Sequence, residues 1–124
     1  MIAHFLIFLL PFLSQATDID ITGTGEIHKV IQYGRDVTPQ HNPYRERYLI
    51  LRKDNTFESD GRPYGRKRGN YEFNTSDHIL FMDSDAGPED DSKRLVTMWR
   101  DTMYWKGIGN EWGESFGMIQ VRKE

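Results

Sequence analysis

A β-hairpin predicted over residues 48–57 constrains the fold of this chain more than any other stretch. In its sequence, YLILRKDNTF, Leu49 and Leu51 alternate with their neighbours, and a period of two is typical of a strand. Asp54 and Asn55 then interrupt the run. Asn tolerates positive φ better than most residues, so a type I turn with Asn55 in the left-handed region, forming a bulge, fits these residues.

Such a turn also determines which residues face each other across the hairpin. It pairs Arg52 with Thr56 and places Phe57 opposite Leu51. Because side chains alternate between the two faces of a strand, Leu49, Leu51 and Phe57 are predicted to share one buried face.

Further short strands are predicted on both sides of the hairpin, which itself extends over about 45–59. Turn residues separate them roughly every ten residues, and two longer loops cover 34–43 and 107–115. The predicted strands outside the hairpin cover 26–33, 68–73, 78–82, 94–99, 103–106 and 116–122. In the first of them, 26–33, the side chains of Ile27, Ile31 and Tyr33 are predicted to share a face.

These strands predict an all-β fold, either a barrel or a sandwich of consecutive hairpins. Because closure leaves no exposed sheet edge, we expect an antiparallel up-and-down β-barrel of about eight strands. A barrel of this size leaves room inside for side chains or one small ligand. One segment allows an alternative, because 93–106 also contains apolar residues at helical spacing, with Ser92 as a possible N-cap. Those residues are Leu95, Met98, Trp99, Thr102 and Met103.

Several of these short motifs resemble the small bacterial lipocalin-like domains, which are calycin-type β-barrels. The motifs are an L-x-L strand at 49–51, the turn sequence KDNTF at 53–57, Gly69-Asn70-Tyr71, and Trp99 before a closing strand. The resemblance covers most of residues 19–123. It implies an exported barrel that holds a small apolar ligand.

The chain departs from the family at its first strand, where lipocalins commonly carry Gly-x-Trp. Here Gly25 stands in the place of the Trp, in the sequence Gly23-Thr24-Gly25. In the family that Trp closes one end of the barrel next to a basic residue of the last strand, for which Arg122 is the candidate. The departure leaves open how this end of the barrel is closed.

The N-terminal sequence predicts export. An apolar block at 2–13 precedes Ser14-Gln15-Ala16, the pattern of a secretory signal cleaved after Ala16. Residues 1–16 are therefore interpreted as a signal peptide and 17–124 as the barrel domain, in the periplasm or secreted. An interfacial or buried N-terminal helix is the alternative, and the block is shorter than the ~20 residues of a membrane span.

The composition and the absence of known motifs argue against several kinds of chemistry. The 124 residues include no cysteine, which excludes disulfides, a thiolate nucleophile and cysteine-ligated metal. The four histidines lack metal-ligand spacing, and the acidic stretch from Asp83 to Asp91 does not match an EF-hand loop. No nucleophile or phosphate-binding motif is present. We therefore expect no enzymatic activity, no metal and no cofactor.

A cluster of Arg62, Arg66, Lys67 and Arg68 with interleaved tyrosines is compatible with single-stranded nucleic acid binding. Export and the net charge of −3 favour a charged hairpin rim instead, so no nucleic acid partner is expected.

The leading functional expectation is binding of a small hydrophobic ligand inside a monomeric barrel. The alternatives are an interaction or scaffold module whose barrel is filled by its own side chains and, more remotely, an exported hydrolase. Trp112, in the second long loop, is expected to pack in the core or in a lid. The residues predicted to line the ligand site are Leu49, Leu51, Phe57, Tyr71, Phe73, Trp99 and Trp105.

Overall fold

The computed structural model describes residues 19–123, so the predicted signal peptide lies outside the described residues. Within that range it contains nine strands, two one-turn α-helices and a 3₁₀ turn at Pro88–Asp90. The helices are α1 Thr38–His41 and α2 Glu111–Glu114. The strands are β1 Gly23–Gln32, β2 Arg35–Asp36, β3 Tyr48–Leu51, β4 Thr56–Gly61, β5 Tyr64–Asn74, β6 Ile79–Ser84, β7 Ser92–Trp99, β8 Thr102–Ile108 and β9 Phe116–Arg122.

The strands form an antiparallel meander that closes on itself. From β3 to β9 each strand pairs with the next, and β1 pairs with both β3 and β9. The short β2 extends one end of β1 as a hairpin. This arrangement is an eight-stranded barrel with β2 attached, which confirms the predicted all-β fold class. None of the helices among residues 19–123 has the length and apolar character to cross a membrane.

The hairpin between β3 and β4 has the predicted turn. Asn55 has a φ of 69°, and the Arg52 N–H donates to the Thr56 carbonyl at 2.9 Å. Leu51 faces Phe57 in register, and both are buried with Leu49. The turn is also held from outside the hairpin, because the Tyr71 hydroxyl of β5 donates to the Arg52 carbonyl at 2.6 Å.

Residues 93–106 form strands, so the alternative of a helix is wrong. β7 and β8 pair along their whole length and are joined at Arg100 and Asp101, with Arg100 at a φ of 56°. Val96 faces the interior while the residues on either side of it are exposed. This two-residue alternation outweighs the helical spacing of the larger apolar residues.

A β-bulge in β1 makes the predicted face of the first strand wrong beyond Ile27. The register against β9 shifts between Ile27 and Lys29, which adds one residue to β1. Ile27 and Val30 are consequently the buried residues, whereas Tyr33 is 73% exposed. A bulge changes the parity of every later side chain in the strand, and simple alternation does not detect it.

One end of the barrel is packed solid. Gly25 pairs with Arg122 in register, so the two residues that the family resemblance brought together are neighbours. Ile21, 4% exposed, packs over this end against Leu49 and Leu51. The space left beside Gly25 is only about 10 Å³, so the segment before β1 closes this end of the barrel.

Substitution of Asn55 tests the turn. We expect Asn55→Gly to be neutral or slightly stabilising, and Asn55→Val to cost on the order of 1 kcal/mol or more, because a β-branched residue is strained at positive φ. Lys53→Val, in the same exposed turn, is the control. Urea melts that give Asn55→Val and Asn55→Gly equal stability would contradict the left-handed turn.

Substitution of Gly25 tests how the closed end is filled. A Cβ at Gly25 would lie 3.0 Å from the Gln120 Oε1, and about 10 Å³ cannot hold an indole. Gly25→Trp should therefore lower the stability by about 1–3 kcal/mol through overpacking. Gly25→Ala should fall between it and the parent in thermal melts. An increase in melting temperature for Gly25→Trp would show that the end is open.

Candidate ligand-binding cavity

The opposite end of the barrel contains a cavity of about 690 Å³. It opens among four connections, those that join β1 to β3, β4 to β5, β6 to β7 and β8 to β9. Because neighbouring strands are antiparallel, these alternate connections all lie at one end of the barrel. The volume is within the range of about 300–1,000 Å³ that is usual for small-molecule sites.

The walls of the cavity are largely apolar and come from most strands of the barrel. β3 and β4 supply the buried face of the hairpin, and β8 supplies Trp105, which is 3% exposed. The apolar lining residues are Ile27, Val30, Leu49, Phe57, Phe81, Met82, Trp105, Ile108, Trp112, Phe116 and Met118.

The structure brings together part of the predicted site. Leu49, Phe57 and Trp105 line the large cavity. Leu51 lies at the packed end instead, and Tyr71 belongs to the core with its hydroxyl bonded to the turn.

Two other predicted residues lie away from the cavity. Phe73 is half-buried against the core and stacks on His78 at 6.1 Å between ring centroids. Trp99 is 71% exposed, with the Arg100 guanidinium 5.2 Å from the centre of its ring. Trp99 therefore does not line the cavity as predicted, because its parity in β7 is opposite to that of the buried Val96.

Both long loops lie at the mouth of the cavity. In the first, α1 presents His41, whose Nδ1 is hydrogen-bonded to the Tyr64 hydroxyl. In the second, the exposed Trp112 packs edge-on against Phe116, with ring centroids 5.2 Å apart. Phe116 in turn contacts His41 edge-on at 5.4 Å. These aromatic side chains link the two loops across the opening.

Arg47 is a cation on the cavity wall. It immediately precedes β3, and its Nη1 donates to the His41 carbonyl at 2.8 Å. Its guanidinium lies 4.7 Å from the centre of the Tyr64 ring. Burial lowers the pKa of Arg47, and burial followed by the charge of Arg47 lowers that of His41.

Arg94 is a second cation on the wall and comes from the middle of the sheet. It shares the inward parity of Val96 on β7, and its guanidinium lies 4.8 Å from the centre of the Trp105 ring. Its Nε is buried without a hydrogen-bond partner among the described residues. Burial, and then the charge of Arg47, lower the pKa of Arg94 to about 10.

Gln120 adds a neutral polar group to the same cavity. It is 1% exposed, and neither its Nε2 nor its Oε1 has a partner within residues 19–123. It borders both the large cavity and the small space beside Gly25. An amide in this position can donate and accept hydrogen bonds at once.

Carboxylates also line the cavity, but they belong to its rim. Asp90 pairs with Lys67 at 2.7 Å, and Asp91 accepts from the Ser84 N–H at 2.9 Å. The rim also includes Asp60 and Glu89. Among the described residues, no carboxylate lies within ion-pair distance of Arg47 or Arg94, and no group of three or more potential ligands could hold a metal.

The basic cluster at the β4–β5 hairpin is largely neutralised. Arg62 pairs with Glu46 at 2.8 Å and Arg66 with Glu58 at 3.1 Å. Lys67 points to the cavity rim and pairs with Asp90. The cations are therefore distributed among separate acidic partners, as in a charged hairpin rim.

Sequence reasoning missed the polar residues of the interior. Arg47, Arg94 and Gln120 each lie two residues from an inward apolar side chain, namely Leu49, Val96 and Met118. A charged or amide side chain at an inward position of a predicted strand was the available indication.

The fold and the cavity define a small closed β-barrel with an internal site. The chain resembles the crystal structure of a DUF4847 family protein from Bacteroides vulgatus, with a TM-score of 0.60 and 11% sequence identity. The match covers 86% of this chain and 96% of that one. At this identity the likeness shows a shared fold alone. The chain matches no family profile and no curated protein.

Removal of the Arg94 charge should stabilise the ligand-free protein. A base whose pKa is lowered by folding costs stability at neutral pH, where it is charged in both states, and the cost declines only above about pH 10. We expect Arg94→Met to raise the stability at pH 7 by on the order of 1–3 kcal/mol. Arg68→Met on the exposed face is the matched control. Destabilisation by Arg94→Met alone would mean that its guanidinium is satisfied inside the fold.

Proposed function

We propose that the protein is an exported, non-enzymatic, lipocalin-like barrel that binds a small, predominantly apolar molecule in its interior. It acts as a monomer outside the cytoplasm. The observation that carries this proposal is the cavity of about 690 Å³, with apolar walls and one open end.

The same observation weighs against the alternative, a scaffold module whose interior is filled by its own side chains. Barrel interiors of that kind are packed at close to crystal density, and the closed end of this barrel is an example. A cavity of about 690 Å³ with an open end instead exposes apolar lining to water, and a ligand that covers this surface is favoured by its burial.

The more remote alternative, a hydrolase on the same fold, would need a nucleophile beside a base. His41 is the histidine that lines the cavity, and its Nδ1 contacts the phenol of Tyr64. A phenol with this neighbour does not form the hydroxyl–imidazole–carboxylate chain of a serine hydrolase. The cavity therefore supports binding better than it supports hydrolysis.

Tryptophan fluorescence offers a direct test, because the three tryptophans occupy different places. Trp105 is in the wall, Trp112 at the mouth and Trp99 outside. A variant with only Trp105 (W99F, W112F) should show a saturable change in emission with a panel of fatty acids, retinoids and porphyrin-like dyes. Bound ligand should also raise the melting temperature, because at a hundredfold excess over Kd it adds about 2.7 kcal/mol to the free energy of unfolding.

The control is a variant that retains only Trp99 (W105F, W112F), whose emission should not respond. Native mass spectrometry of protein from its own host would show whether a molecule is retained. If no compound changes Trp105 emission or melting temperature, and xenon finds no internal site, the filled scaffold replaces the binding proposal.

A further inference from the structure

Two cations on the cavity wall, Arg47 and Arg94, have no carboxylate within ion-pair distance among residues 19–123, although the whole lining carries as many carboxylates as cations. Arg47 and Arg94 approach closely enough for the charge of Arg47 to contribute to the lowered pKa of Arg94. Ordinary folds avoid two like charges in one apolar space, since each loses hydration without gaining a partner. None of the four rim carboxylates forms an ion pair with either arginine in the described part of the chain; Asp90 is paired with Lys67, and Asp91 accepts from the Ser84 N–H.

The side chains around the two arginines hold them without satisfying them. The Arg47 Nη1 binds a carbonyl, and both guanidinium groups lie beside aromatic rings, Tyr64 and Trp105 respectively. Cation–π contacts and a single carbonyl leave most of the N–H groups available, since each guanidinium has five. The Arg94 Nε is one of those unused donors.

We propose, on the basis of the function proposed above, that the ligand carries a terminal oxyanion, such as a carboxylate, which binds between the guanidinium groups of Arg47 and Arg94. An oxyanion accepts several charge-assisted hydrogen bonds and neutralises one of the two charges. The apolar remainder lies along the wall formed by Phe57, Trp105 and Met118. Gln120 supplies further hydrogen bonds to any polar group that reaches it.

The proposal distinguishes amphipathic anions from other apolar molecules. Calorimetric titrations with four compounds of equal chain length, namely myristate, myristyl phosphate, myristyl alcohol and myristylamine, separate the head group from the tail. We expect an anion to bind about 10- to 100-fold more tightly than the alcohol, and the amine to bind most weakly. The relative affinity of carboxylate and phosphate then identifies which oxyanion the site prefers.

Variants locate the head group. Arg94→Met should remove most of the preference for the anion over the alcohol and leave the affinity for the alcohol within about threefold, because it removes the charge and keeps an apolar chain. Arg94→Lys should retain part of the preference. Arg68→Met, which removes the same charge from the outer face, should change neither affinity. A thermal melt of each variant checks that it is folded.

The outcomes separate this inference from the proposed function. Equal affinity for anion and alcohol, or a preference for the anion that survives both Arg94→Met and Arg47→Met, would overturn the oxyanion site and leave apolar binding intact. Tighter binding of the amine would also overturn it. If none of the four compounds binds and the panel above also fails, the binding function itself is wrong.

Discussion

Closure of the sheet between β1 and β9 is the constraint on which the rest of the structure depends. It removes both exposed edges of an eight-strand meander and turns one face of every strand into an interior. The bulge between Ile27 and Lys29 lies on this seam, and beyond it the side chain of Val30 points into the barrel. Once the sheet is closed, each inward side chain must fill space, border a cavity or find a polar partner.

The two ends of the barrel meet that requirement differently. At one end Ile21, in the segment before β1, packs over the interior and closes it. At the other end four connections surround an opening, and aromatic contacts among His41, Phe116 and Trp112 join two of them. The core is shared between the two ends, because buried residues such as Phe57, Met82 and Trp105 also line the cavity.

Most of the fold was predictable because it depends on local alternation and turn chemistry. The hairpin turn at Asn55, the register of Leu51 against Phe57 and the bounds of β9 follow from such patterns. The bulge in β1 did not, since parity beyond a bulge depends on the partner strand. The exposure of Trp99 does follow from alternation with the buried Val96, although a large aromatic residue in a strand is more often buried. The site was predicted only in its apolar half, because hydrophobic face patterns omit inward polar residues such as Arg94.

The buried polar residues of the interior, Arg94 and Gln120, lower the stability of the fold. A Met at position 94 would pack against Trp105 without loss of hydration, so stability alone gives no reason for the guanidinium there. The same reasoning applies to Gln120, whose buried amide has no hydrogen-bond partner within residues 19–123. An aliphatic side chain at this position would avoid the free-energy cost of burying a polar group without a partner. The polar groups without partners and the apolar space lie in one cavity, and the amphipathic ligand that we propose would provide partners for the first and cover the second.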